Sequence, residues 1–296
     1  MRCLSLILVF AFWSAAPVAA QDGNGLRFGR LFTNDALGDR HDRWRSGSYV
    51  LSGIAGTDAA GGSGAVTEYR LRTEIISPGA ATAGRGDRPY VAALSLGAHR
   101  HYGWGDTQFS LGGDVVAIGP QTGLPGIHED FHDLLGLPTP RFEGALSDQI
   151  HLSGTMAVSH TYRINQNLSV RPFAEALVGV EDIVRVGGDL VVGSIRQDDL
   201  MLRDVTTGQL YPGGATGGAG ISYVVGADLA AVGGSQFLPP SQGYQTTDTR
   251  ARARAGVHLQ TGNDLSLFYG MTYLSEEFEG QEEGQLLGSF RLNFNF

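Results

Sequence analysis

From residue 250 to 260 the chain alternates, with Arg250, Arg252, Arg254, His258 and Gln260 on one parity and Ala251, Ala253, Ala255, Val257 and Leu259 on the other. The same period of two sets Leu265, Leu267, Tyr269, Met271 and Tyr273 against Ser266, Gly270 and Thr272. It also sets Leu168, Val170, Ala174, Ala176, Val178 and Val180 against Ser169, Arg171 and Glu175. Successive side chains of a strand point to opposite faces, so each segment is a strand with one oily and one polar face. The pattern predicts about twelve strands, over 25–34, 44–55, 65–77, 89–100, 106–119, 149–163, 167–181, 183–196, 219–234, 247–260, 264–277 and 285–296. Strands of a water-soluble sandwich average about 5 to 6 residues. These run to ten or more, which suits a tilted transmembrane strand of about 9 to 11 residues, and bacterial barrels use even strand numbers. The predicted fold is an all-β, antiparallel, up-and-down transmembrane β-barrel.

Composition removes the competing classes. The chain has 296 residues and 44 glycines, scattered through apolar stretches without a triplet period, so collagen-like and linker readings fall away. Beyond residue 20 no apolar run approaches the roughly 18 residues of a membrane-spanning helix. A formal net charge of -9 argues against a nucleic-acid partner. All 21 basic residues are Arg and none is Lys. On the polar parity Arg171, Arg252, Arg254 and Arg291 stand against Glu68, Glu74, Glu175 and Asp228, which predicts a salt-bridged, plugged lumen.

Residues 1–20 carry one Arg, an apolar core from Leu4 to Trp13 and small residues Val18 and Ala20, the pattern of a cleaved secretory signal peptide. Residues 21–296 are then the barrel domain, and with Cys3 removed the mature chain has no thiol chemistry. Leu286, Gly288, Phe290, Leu292, Phe294 and Phe296 form the oily face of a last strand opposite Leu287, Ser289, Arg291, Asn293 and Asn295. A terminal Phe on such a strand resembles the signal read by the barrel assembly machinery. The expected location is the bacterial outer membrane, as a monomer.

With both termini periplasmic, connections 35–43, 78–88 and 120–148 share the outer rim, and residues 101–106, 163–167 and 261–264 form tight turns opposite. Within the third outer connection, residues 126–136 read as a short helix ended by Gly136. The connection 197–218 is too long for a periplasmic turn and reads as a periplasmic flap or extra hairpin.

The outer connections carry a family resemblance. Asn34-Asp35 leaves the first strand, Asp42-Arg43-x-x-Ser46 enters the second and Asp87-Arg88-Pro89-Tyr90 enters the fourth. Gly119-Pro120 precedes His132-x-x-x-Gly136, and Gln149-Ile150 opens the sixth. In this order they resemble the outer-membrane lipid A 3'-O-deacylase family over residues 26–163. In the second half the resemblance is one of strand pattern and of Arg203-Asp-x-x-Thr-Gly208. The resemblance implies a calcium-dependent esterase that removes a 3'-linked acyl or acyloxyacyl chain from lipid A of lipopolysaccharide. It puts the general base on His132, the oxyanion donor on Asn34, Ca2+ on Asp35 and an orienting hydroxyl on Ser46, where the family has Thr. His128 stands where the family has Gln. The family's Lys has no counterpart, and Arg85 or Arg88 is the available replacement for its charge. Asp130, Asp133 or Glu129 is available to orient the imidazole. A His base suits ester hydrolysis near neutral pH, and Ca2+ seeks oxygen ligands.

Simpler readings stand beside these. His128 and His132, four apart on a helix, are either a surface zinc or nickel site or solvated loop histidines. Asn34 and Asp35 are common turn formers, Ser46 fits a strand edge, and Asp87 to Pro89 fit a structural strand start. Trp44, Trp104, Tyr90, Tyr102, Tyr269 and Tyr273 read as interface aromatics. Glu276, Glu277, Glu279, Glu282 and Glu283 read as a solvated loop tip. A phospholipase-like pairing of Ser153 with His151 is weak, because both share one parity of one strand. The alternative to the esterase is a non-catalytic barrel of deacylase type with a lipid-binding, scaffold or pore role.

Overall fold

The computed structural model describes residues 26–56, 64–79, 81–82, 85–193, 200–214, 219–261 and 265–294. The segment read as a signal peptide lies outside them. Twelve long strands form one closed antiparallel barrel. They are β1 (Arg27–Asn34), β2 (Trp44–Ala55), β3 (Ala65–Ser77), β4 (Val91–Trp104), β5 (Thr107–Ile118) and β6 (Gln149–His160). After them come β7 (Leu168–Val178), β8 (Glu181–Val192), β9 (Gly220–Ser235), β10 (Thr249–Thr261), β11 (Leu265–Leu274) and β12 (Gln285–Phe294). A short piece, Tyr162–Asn165, continues β6 and pairs with β7. Each strand pairs with the next, and β1 closes on β12 with Phe32 opposite Phe290 and Asn34 opposite Gly288.

The barrel is inside out relative to a soluble core. Leu152, Met156, Val184 and Leu229 are exposed on the outer wall, while Arg252, Arg254 and Arg291 are buried in the lumen. Trp104, Tyr102, Phe109, Tyr162 and Tyr223 are exposed near the rim opposite the helix, as an aromatic girdle would be. Trp44 and Tyr90 differ from the interface reading, since both side chains are buried at the other rim.

The expected salt-bridged lumen is present. Asp228 receives Arg185 at 2.5 Å, Arg252 at 3.0 Å and Arg254 at 2.5 Å. Glu68 pairs with Arg70 at 2.8 Å. Arg171 donates to the Gln108 side-chain oxygen at 2.8 Å and Arg291 to the Ser266 hydroxyl at 3.1 Å. A charge out of water is tolerated only when paired and hydrogen-bonded, and losing one partner costs about 3–5 kcal/mol.

The connection after β8 corrects the flap reading. Its described part, Met201–Arg203 paired with Leu210–Pro212, is a hairpin, and it lies inside the barrel. Leu200, Leu202 and Tyr211 pack against Leu31, Val50, Ile54, Val66 and Phe268 from the wall. At the tip, Thr206 Oγ1 donates to Glu74 at 3.0 Å, and Arg252 donates to the Val205 carbonyl at 2.7 Å. Gly208 has φ +71°, and a Cβ there would sit 2.8 Å from Arg254 Nη1. The Arg203 to Gly208 motif is therefore the tip of a plug. β4 also runs further than expected, through His101 to Trp104, leaving Gly105 and Asp106 as the turn.

Candidate active site

The rim motifs converge because two elements fold over the ends of β1 and β2. Asn34 caps a short 3-10 turn, Asp35–Leu37, its Oδ1 accepting from Ala36 N at 2.9 Å. Its Nδ2 donates to the Ser46 carbonyl at 2.8 Å, which leaves the other N–H of the amide uncommitted among the described residues. Asp35 is buried, and its Oδ2 accepts from Arg43 N at 3.3 Å.

Ser46 occupies a β-bulge. The β2–β3 register shifts between Arg45 and Gly47, so Ser46 is the extra residue. Bulges re-aim side chains and cluster at sites. The Ser46 Oγ is buried and has no hydrogen-bond partner among the described residues. Two residues upstream, Trp44 holds φ +55°, an uncommon conformation for a bulky side chain that must be held by its surroundings. Its Nε1 donates to Asp87 Oδ2 at 2.7 Å, and its ring meets Phe278 edge-on at 6.3 Å.

The predicted loop helix is α1, Leu124–Leu135, with Pro125 in its first turn and Gly136 ending it at φ +62°. Pro suits a helix start and Gly a left-handed cap. The spacing of four puts His128 and His132 on one face, beside Leu124, and all three are buried. Beyond Gly136 the chain doubles back, bringing the Pro138 carbonyl 2.6 Å from His132 Nδ1. That contact assigns the proton to Nδ1 and leaves the Nε2 lone pair free. His132 Nε2 lies 3.6 Å from Asp42 Oδ2. His128 Nδ1 lies 3.2 Å from the Tyr90 hydroxyl, and the two imidazole centroids are 4.6 Å apart.

Electrostatics tie these groups together through Asp42. Burial, and then the charge of Asp42, push the Asp35 carboxyl well above the usual range. Burial, and then His132, push His128 down to about 4. Burial, and then Asp42, raise the Tyr90 hydroxyl. Such a surplus of carboxylate around Asp35 is what a hard cation relieves. Asp42, His128 and His132 also offer ligand atoms within 4.8 Å of one another.

Asn34, Asp35, Ser46, His128 and His132 therefore share one rim. Arg88 does not face it: its guanidinium is fully buried, 2.8 Å from Glu277, over the Phe278 ring. It cannot meet an external phosphate from there. Arg85 pairs in a two-residue bridge with Thr82, and its side chain lies outside the described residues. Glu129, Asp130 and Asp133 are exposed, and the group that orients His132 is the Pro138 carbonyl. Glu277 is not a solvated tip residue, since it is buried against Arg45 at 2.8 Å and against Arg88. Sequence reasoning missed Asp42 and Tyr90 as site residues. Both stand inside quoted motifs, which was the available signal. Ser153 and His151 are engaged separately, with the Val178 carbonyl and with Gln149.

A closed barrel with an apolar outside, a salt-bridged and plugged lumen, and a loop helix over a polar rim defines a transmembrane barrel of the outer-membrane type. The chain belongs to the family described as outer membrane protein LpxR, which matches residues 4–296. LpxR from Salmonella typhimurium is similar in structure, with TM-score 0.72 at 16% identity, over 91% of this chain and 99% of that one. The NanC porin is more distant, with TM-score 0.43 at 6% identity over 92% of this chain and 100% of that one. An outer-membrane channel from Pseudomonas putida F1 has TM-score 0.43 at 11% identity over 93% and 98%. No curated protein matches the sequence.

Proposed function

We propose that this chain is an outer-membrane ester hydrolase of the lipid A deacylase type, with His132 as general base. The observation that carries the reading is the pose of His132. Its Nδ1 is held by the Pro138 carbonyl, and its free Nε2 faces Asp42 Oδ2 at 3.6 Å on the rim that also carries Asp35 and Ser46. In this reading Nε2 takes a proton from water, the water oxygen attacks the ester carbonyl, and the Pro138 carbonyl steadies the imidazolium. The uncommitted N–H of Asn34 meets the oxygen on which charge develops. As the bond between the acyl carbon and the 3' oxygen breaks, His132 returns the proton to that sugar oxygen, giving a fatty acid and a free 3' hydroxyl.

Asp35 and the unpartnered Ser46 Oγ fit an oxygen-seeking ion, and Asp35 would hold Ca2+. When bound, Ca2+ polarises the ester carbonyl and offsets the oxyanion charge. The outward face of α1 carries exposed Ile127 and Leu134, with Leu137 just beyond, an apolar stripe suited to acyl chains at a leaflet surface. The non-catalytic reading is favoured by one observation: Arg88, a candidate for the family's cation, is turned inward.

The test is mass spectrometry of lipid A incubated with the detergent-solubilised protein, with Ca2+ or with EDTA. Loss of one ester-linked chain only with Ca2+ supports the esterase. Unchanged lipid A, with folded protein and several lipid A species, selects the non-catalytic barrel.

A further inference from the structure

Two imidazoles and a carboxylate make a donor set quite different from the oxygens around Asp35. We propose that Asp42, His128 and His132 bind a divalent transition-metal ion of the zinc class, and that the bound ion withdraws His132 from base duty. The second half rests on the reading of His132 as the base.

Histidines that bind metals characteristically donate their other ring N–H to a carbonyl, a carboxylate or water, which fixes the tautomer. His132 does this through Nδ1 to the Pro138 carbonyl at 2.6 Å. The Nδ1 of His128 is engaged with the Tyr90 hydroxyl at 3.2 Å, so Nε2 is the nitrogen left to each ring. The two rings come from one face of α1, four residues apart, on a helix that starts with Pro125 in its first turn and ends at the left-handed Gly136. The 3.6 Å from His132 Nε2 to Asp42 Oδ2 is too long for a hydrogen bond. It matches the ligand-to-ligand edge of about 3.3–3.6 Å in a tetrahedral ion with bonds of about 2.0–2.2 Å. All three ligand atoms lie within 4.8 Å of one another. Asp42 is the half-exposed member, with its side chain 43% exposed, so it is the one free to close that spread.

Nitrogen donors suit zinc, nickel or cobalt, whereas Ca2+ takes oxygen. Three protein ligands leave a fourth position for water. The ion uses the same Nε2 lone pair that would accept the proton of attacking water, so base and ligand roles exclude one another.

The experiment uses the full chain, folded in detergent and stripped with EDTA, with Co2+ as the optical probe. Visible ligand-field bands saturating at one ion per chain, and displaced by Zn2+, are expected for the native sequence. In His128→Gln and in Asp42→Ala the Co2+ affinity is expected to fall by at least about tenfold, with folding checked by heat-modifiable migration. With Ca2+ saturating, micromolar Zn2+ is expected to suppress lipid A hydrolysis by the native protein. In His128→Gln the suppression is expected to disappear, relative to that variant's own metal-free rate. Absent bands, or bands unchanged in both variants, overturn the site. Binding that raises turnover overturns the withdrawal and makes the ion the catalyst. If no preparation hydrolyses lipid A, the esterase reading and the withdrawal fall together, and the cobalt bands alone still decide the metal site.

Discussion

Asp42 Oδ2 and His132 Nε2 face each other across 3.6 Å, one from the first rim connection and the other from the loop helix 90 residues later. The same carboxylate raises the Asp35 carboxyl and the Tyr90 hydroxyl through its charge, in each case after burial. Asp42 thus couples the oxygen-rich half of the rim to the histidine half.

Asp35→Asn removes the buried carboxylate that best fits Ca2+. Turnover is expected to fall by about 10²–10³, the scale for losing stabilisation of an oxyanion. The residual rate should no longer rise when Ca2+ is returned after EDTA. Steady-state rates across a Ca2+ titration check this, and a variant that keeps full Ca2+ dependence contradicts the assignment.

Glu277 supplies a pH-dependent contribution to stability. Burial alone would raise its carboxyl, but Arg45, Arg250 and Arg88 together hold it well below the usual carboxylate range. A carboxyl depressed on folding stabilises fully above its unfolded pKa, and that contribution is lost as pH falls below it. Glu277→Gln is expected to destabilise the barrel by about 3–5 kcal/mol near neutral pH. The gap to the native protein should narrow as the pH is taken from 6 toward 3. The temperature at which heat-modifiable migration is lost, read for both proteins at each pH, gives the answer.

The plug tip makes a separate demand on Gly208. A side chain there must adopt a left-handed backbone, at about 1–2 kcal/mol, and press on the paired Arg254 and Arg252 guanidiniums. Gly208→Val is expected to loosen the hairpin and raise ion conductance in planar bilayers. Conductance identical to that of the native barrel contradicts a plug seated by this residue.

The strands were legible because a barrel wall imposes period two on every segment, and all twelve predicted starts fall within two residues of the observed ones. The ends were less legible: β4 extends past 100 because His101 and Tyr102 keep the alternation. The helix was legible from Gly136 and the spacing of its histidines. What lay beyond reach was the path of connections. Alternation says nothing about whether residues 200–214 hang outside the barrel or thread into it. Nor does it say that Arg88 turns inward to meet Glu277, or that Trp44 is buried against Phe278. The Pro138 carbonyl was illegible for another reason: a backbone group leaves no residue-type signal.

The most direct test of the account compares the native protein with His132→Ala on the same lipid A, both with saturating Ca2+ and both verified as folded by heat-modifiable migration. The account predicts a loss of turnover of about 10²–10⁴, the usual contribution of a general base. Turnover unchanged in the folded variant would contradict it.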